Sequence, residues 1–189
     1  DGISVIRSWT ELKNNGEEDL GVEYVSSFAL LGIDKEGLLS TDEKLEVLIA
    51  RNAWQKELIW NRFSMDQLGM SISQPDKVRR SSQTISVGNT GNWSTKNYLP
   101  MGCLKNKETD SILFWQIEQN GSWYWEISDQ DGHMYLQLSG PTEHQSHWWK
   151  NLKPGDTFAS VPVSVGSACG DVEEAAGELT KYRRAIRRK

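Results

Sequence analysis

The sequence predicts an all-β fold, an antiparallel β-sandwich closed by one C-terminal α-helix. Three observations carry this. Apolar and polar residues alternate through most of the stretch before Gly170, the two-residue repeat of half-buried strands. Turn dipeptides such as Asn15-Gly16, Asn120-Gly121 and Asp131-Gly132 punctuate these runs. After Gly170 the apolar spacing changes from two residues to three and four, the period of a helix. The expected division is a sandwich over 1–170 and a helix over 171–189.

Taken in order, "SVIRSWTEL" reads as a strand, "KNNGEED" as a turn and "LGVEYVSSFALLG" as the next strand region. Asn15-Gly16 is therefore expected to close a hairpin. "KLEVLIARNAWQKELIW" fits a strand pair or a short helix equally well. The polar stretch "SISQPDKVRRSSQTISVGNTGNWSTKNYLPMG" is rich in Ser, Gly and Asn and reads as loops broken by short strands. "SILFWQIE", "WYWEI" and "HMYLQL" are expected to form a three-stranded meander. One face of it would carry Trp123, Trp125, Ile127, Met134, Leu136 and Leu138. "LKPGDTF" is a turn, and "SVPVSVGS" is a strand with Val161, Val163 and Val165 in phase. The helix then places Val172, Ala175, Ala176, Leu179, Tyr182 and Ile186 on one stripe. Asp171 is its expected N-cap and Glu174 the capping-box partner. Acids in its first turn and bases in its last suit the helix dipole. The basic run "KYRRAIRRK" is thereby explained without nucleic acid.

The bulk properties agree with one globular domain. A chain of 189 residues with 37% apolar and 25% charged residues can bury a sizeable core. A net charge of -5 argues against a general nucleic-acid binder. No apolar run approaches the ~20 residues of a membrane span. Two cysteines, Cys103 and Cys169, make no disulfide framework, so a reducing, cytoplasmic compartment is expected. The chain opens inside a strand-like run, so it is expected to be a piece of a longer protein.

Chemistry-bearing residues crowd between Asn120 and Trp149, where four tryptophans and all three histidines fall. His144 and His147 with Glu143 could be read as a metal cluster, but zinc needs three or four ligands of fixed geometry and nothing else completes a known spacing. A polar loop is expected there, with no metal and no cofactor, and His133 is expected at a strand edge. Glu118, Glu126, Asp129 and Asp131 are the candidates for a carboxylate pair. Alternation turns Glu126 away from the tryptophans, and Asp129 and Asp131 belong to a turn, so no catalytic residue is expected. No nucleophile elbow, phosphate loop or dinucleotide fingerprint is present in the sequence. The nine tryptophans remain. Indole faces fill sandwich cores and also stack on sugar rings, and residue physics leaves both uses open.

A resemblance narrows this. "NGSWYWEI", "GHMYLQLSGP", "HWWKNLKPGDTFASVPVSVG" and "LTKYRRAIRR" follow one another in an order that resembles the N-terminal domain of family 36 glycoside hydrolases, the α-galactosidase type. "ELKNNGEEDL", "SSFALLG" and "RNAWQKE" resemble earlier segments of that domain. The resemblance is strongest over 112–188. It implies an antiparallel β-supersandwich, galactose-mutarotase-like, that precedes a (β/α)₈ barrel bearing the catalytic aspartates. The chain would stop at the helix leading into that barrel and would lack the first strands of the sandwich. Its implied partners are the barrel of the same polypeptide, an α-galactoside at their shared rim and, at full length, further copies of itself. The implied substrate-binding residue is Trp54, whose counterpart reaches toward the galactose pocket; ordinary packing at a sheet edge is the other reading. The chain departs from the family where members follow a Ser-Ser pair with a His- and Asn-Pro-containing loop: here Ser81-Ser82 leads into "QTISVGNTGNW". A galactosyl-transferring or N-acetylgalactosaminide-cleaving relative therefore stays open. So do an independent carbohydrate-binding module and a mutarotase-like enzyme, which would need a positioned acid and base.

Overall fold

The computed structural model describes residues 2–70, 83–130 and 132–187. Ser81-Ser82 and Asp131 lie outside these described residues. The chain runs through β1 (Val5–Ser8), β2 (Glu11–Lys13), β3 (Leu20–Val22) and β4 (Ser26–Leu31) to the short helix α1 (Thr41–Lys44). Then come β5 (Leu45–Ala53), β6 (Lys56–Ser64), a 3₁₀ turn at Asp66–Leu68, β7 (Thr84–Asn89), β8 (Tyr98–Asn106) and β9 (Ser111–Ile117). β10 (Trp123–Gln130), β11 (His133–Ser139), α2 (Glu143–Ser146), β12 (Lys150–Leu152), β13 (Thr157–Ala159) and β14 (Val163–Cys169) follow, and α3 (Val172–Arg187) closes the fold.

Two antiparallel sheets face each other, in the orders β1-β14-β9-β8-β5-β6 and β4-β11-β10-β7. Two separate two-stranded ribbons, β12-β3 and β13-β2, complete the strand pairings among the described residues. The ambiguous segment after Ser40 is a strand pair: β5 and β6 form a hairpin, preceded by one turn of helix that Ser40 and Glu43 close as a capping box.

Two sequence expectations need correction. Asn15-Gly16 does not close a hairpin, because β2 pairs with β13 and β3 with β12. The reason is Asn14. Its buried side chain donates to the carbonyls of Glu18 and Leu152, and its backbone exchanges hydrogen bonds with the 155–156 turn. The two turns thus interlock instead of closing on themselves. The three-stranded meander is also replaced. β10 and β11 do pair, as far as Gln130 and His133, with Gly132 at φ 79°, but β9 pairs with β8 and β14. The chain crosses from one sheet to the other at Asn120-Gly121. This puts the aromatic faces opposite each other, and Trp115 meets Trp125 edge-on, centroids 5.1 Å apart at 76°.

The alternation of the strands sorts residues between two cores. Leu45, Val47, Leu104, Trp115, Ile117, Val163 and Val165 from the six-stranded sheet meet Trp123, Trp125, Ile127, Met134, Leu136 and Leu138 from the other. The intervening residues Leu48, Cys103, Ile112 and Phe114 point outward, where Ala175 and Leu179 of α3 cover them. The helix stripe thus forms in part, with Val172 packed on it and Tyr182 buried, while Ala176 and Ile186 of the predicted stripe are exposed. Arg183, Arg184 and Arg187 lie on the exposed face.

The start of α3 is held from several directions. The Asp171 amide donates to Glu174 at 2.8 Å, and the Val172 amide to Asp171 at 2.7 Å. Arg62 forks onto both Asp171 oxygens at 2.7 Å. The buried Lys105 ammonium donates to Asp110 and to the carbonyl of Gly170, each at 2.5 Å. Burial opposes ionisation of Asp171, but Arg62 and the Val172 amide outweigh it and hold the carboxyl below its ordinary value. A lowered carboxyl stabilises the fold above its unfolded pKa, and this contribution is lost as pH falls through the folded one. Asp171→Asn should therefore be less stable than the native chain at neutral pH. The gap should close below about pH 4. Urea midpoints at several pH values would show it, and a gap that widened in acid would contradict it.

Candidate functional site

Trp54 stands at the tip of the β5–β6 hairpin, between Ala53 and Lys56. It is 86% exposed, so it does not pack against the sheet edge. The tip is built by local backbone. Gln55 and Leu58 adopt positive φ, 61° and 52°, which turns the chain tightly and shifts the register near Arg51. Asn52 braces it. Its amide donates to the Asn97 carbonyl at 2.9 Å, its Nδ2 to that of Thr95 at 2.6 Å, and its Oδ1 accepts from the Leu58 amide. The hairpin is thereby tied to the loop between β7 and β8, which carries Trp93, 59% exposed. With Leu58 and Ile59 also exposed, this end of the sandwich presents an uncovered apolar surface of the kind that marks interaction sites. Trp93 was missed in the sequence because a Ser/Gly/Asn-rich loop gives no periodicity from which to judge exposure.

The carboxylate candidates among the described residues each have their own partners. Glu118 accepts from Tyr182 at 2.5 Å and pairs with Arg7 at 2.7 Å, tying α3 to β1. Asp129 accepts from the Gln83 amide. Asp131 lies outside the described residues. Glu126 faces away from the tryptophans, as alternation requires, and accepts hydrogen bonds from the hydroxyls of Tyr124 and Tyr135. It lines a shallow cleft of about 280 Å³ on the outer face of the four-stranded sheet, together with Tyr24, Tyr124 and Gln137. Burial pushes the Tyr24 phenol up to about 12. Burial and then the Glu126 carboxylate raise Tyr124 and Tyr135 as well, so all three are protonated donors at neutral pH.

The histidines scatter. His133 begins β11, 3.4 Å from the Lys35 ammonium. His144 and His147 lie exposed on or beside α2, with His147 3.7 Å from Glu143. Among the described residues no three His, Cys, Asp or Glu side chains gather as metal ligands. Cys103 and Cys169 are both free thiols, and burial beneath α3 pushes Cys103 up to about 12. Excess chelator should leave the melting temperature unchanged; a drop reversed by zinc and abolished by His144→Ala would restore the metal reading. No helix among the described residues is long and apolar enough to cross a membrane.

No protein-family model and no curated protein matches the chain. Solved structures do. The galactosidase domain of the α-galactosidase-sucrose kinase AgaSK matches with TM-score 0.68 and 19% identity, over 88% of this chain and 20% of that one. The family 36 α-galactosidase AgaA of Geobacillus stearothermophilus, crystallised with stachyose, matches with TM-score 0.65 and 17% identity, over 89% and 20%. The α-galactosidase of Lactobacillus brevis matches with TM-score 0.69 and 15% identity, over 95% and 21%. The chain thus spans about a fifth of the length of the enzymes it resembles. At this level of identity the likeness establishes architecture: the chain has the β-sandwich-and-helix fold that occurs as one part of these α-galactosidases.

Proposed function

We propose that the chain is the accessory sandwich domain, over 1–170, of an α-galactosidase-like glycoside hydrolase, with 171–189 leading into a catalytic barrel of the same polypeptide. One observation carries the reading: the likeness covers about nine-tenths of this chain and a fifth of the α-galactosidases it matches. The engagement of Glu118, Glu126 and Asp129 with separate partners among the described residues supports a non-catalytic part. The exposed tip with Trp54 and Trp93 suits a rim that closes over a sugar held by another domain, and oligomer contacts belong to the same reading. A cytoplasmic location goes with it, supported by the two free thiols.

Two measurements test it. The 189-residue chain alone should not hydrolyse an aryl α-galactoside above a buffer blank. In the polypeptide expressed from the whole gene, Trp54→Ala should lower kcat/KM for that substrate roughly threefold to tenfold, the size of one aromatic contact. Unchanged kinetics would make Trp54 a bystander. Turnover by the short chain, lost in Glu126→Gln, would place catalysis in the sandwich itself.

A further inference from the structure

We infer that the cleft on the outer face of the four-stranded sheet is a binding site for one neutral sugar unit, separate from the Trp54 rim. Its floor follows from strand alternation. Tyr124 and Glu126 stand two residues apart on β10 and so project from one face, opposite the buried Trp123 and Trp125. Gln137 on β11 is the register partner of Glu126 and donates to the hydroxyl of Tyr24. The wall is α2, anchored where the Glu143 amide donates to the Glu23 carbonyl at 2.8 Å and where the buried Thr142 caps the helix. His144 and Glu143 of that helix overlook the floor.

The chemistry of the lining selects the ligand. Glu23, Glu126 and Glu143 contribute carboxylates, and no lysine or arginine lines the cleft among the described residues, which disfavours phosphates and carboxylic acids. Each oxygen of Glu126 accepts one tyrosine hydroxyl and keeps a lone pair for another donor. A vicinal pair of sugar hydroxyls fits two such acceptors. The rings of Tyr24 and Tyr124 supply apolar surface for the C–H face of a pyranose, while the Gln137 amide and His144 add polar contacts. A volume of about 280 Å³ lies just below the range of ordinary ligand pockets, ~300–1,000 Å³, and suits one ring rather than a chain.

The test is an NMR titration of the 189-residue chain with methyl α-D-galactopyranoside, methyl α-D-glucopyranoside and, as a cationic control, tetramethylammonium chloride. Tyrosine ring and backbone amide signals are followed. At least one glycoside should give saturable shifts at Tyr24, Tyr124, Gln137 and 142–145, with Kd on the order of 1–10 mM. Tyr124→Phe and Glu126→Gln should each weaken this about tenfold, and Trp54→Ala should leave it unchanged, so that it stands or falls independently of the rim. The proposal is overturned by no saturable shift from either glycoside, by shifts centred on Trp54 and Trp93, or by tighter binding of tetramethylammonium at the same residues.

Discussion

Trp125→Ala is expected to lower the free energy of unfolding by about 3–5 kcal/mol, the range for deleting a large buried aromatic side chain. The indole is 0% exposed and meets Trp115 edge-to-face, a geometry in which the positive rim of one ring faces the negative face of the other. No neighbouring element can collapse into the space, because both sheets are held apart by the other tryptophans and by Met134, Leu136 and Leu138. Trp123→Ala should fall in the same range, since its Nε1 also donates to the Ser94 carbonyl at 2.6 Å and pins the β7–β8 loop. Against a total stability of about 5–15 kcal/mol, either variant forfeits a large share. Trp54→Ala should stay within about 0.5 kcal/mol, as an exposed substitution does. Urea denaturation of the three variants decides the matter. An unchanged midpoint for Trp123→Ala or Trp125→Ala would show that the face called buried is exposed, and a loss for Trp54→Ala equal to theirs would show that its ring packs.

Which residues share a strand face was legible in the sequence, because alternation is a local property. Trp123, Trp125 and Ile127 needed no knowledge of the partner strand. Pairing was not legible, because an apolar face does not state whether its partner lies beside it or across from it. β9 and β10 look like consecutive strands of one meander, yet they belong to opposite sheets, and the buried side chain of Asn14 decides the fate of the Asn15-Gly16 turn from contacts more than 130 residues away. The helix was legible to its first residue because capping chemistry is local. One half of the expected Asp171–Glu174 box is formed, the Asp171 amide donating to the Glu174 carboxylate, while the Asp171 side chain turns to the Val172 amide and to Arg62 instead, a grip with no trace in the sequence. The tyrosine cleft was hidden for the same reason as the pairing. Glu126 stands out in the sequence as a carboxylate candidate, and Glu143 and His144 as part of a metal cluster with His147, but nothing joins the two groups. Tyr24 and Gln137, which complete the cleft with them, lie far apart in the chain and stand out in neither way.

The second large effect concerns a residue with no side chain. Gly102 on β8 is the register partner of Trp115 on β9, and a methyl group at position 102 would stand 2.5 Å from Cζ2 of that indole and 2.8 Å from Cε2. The glycine is therefore the space into which the six-membered ring of Trp115 fits. Gly102→Ala should destabilise the fold by about 1–3 kcal/mol, the range for forcing extra volume into a packed core. The alternative cause, a lost backbone conformation, is absent here, because Gly102 is not among the positive-φ residues; in a strand interior alanine would otherwise be neutral or favourable. The crowding reading makes a sharper claim than destabilisation alone. Trp115→Phe removes the atoms that clash and should itself cost stability by leaving a cavity. Combined with Gly102→Ala, the new methyl group partly fills that cavity. The double variant should then be more stable than the sum of the single losses by at least about 1 kcal/mol, well beyond the ~0.5 kcal/mol expected of independent sites. Strict additivity in urea titrations of the four proteins would mean that Trp115 does not occupy the space beside Gly102. The indole of Trp115 would then have to lie away from Gly102, and its T-shaped contact with Trp125 would need another geometry.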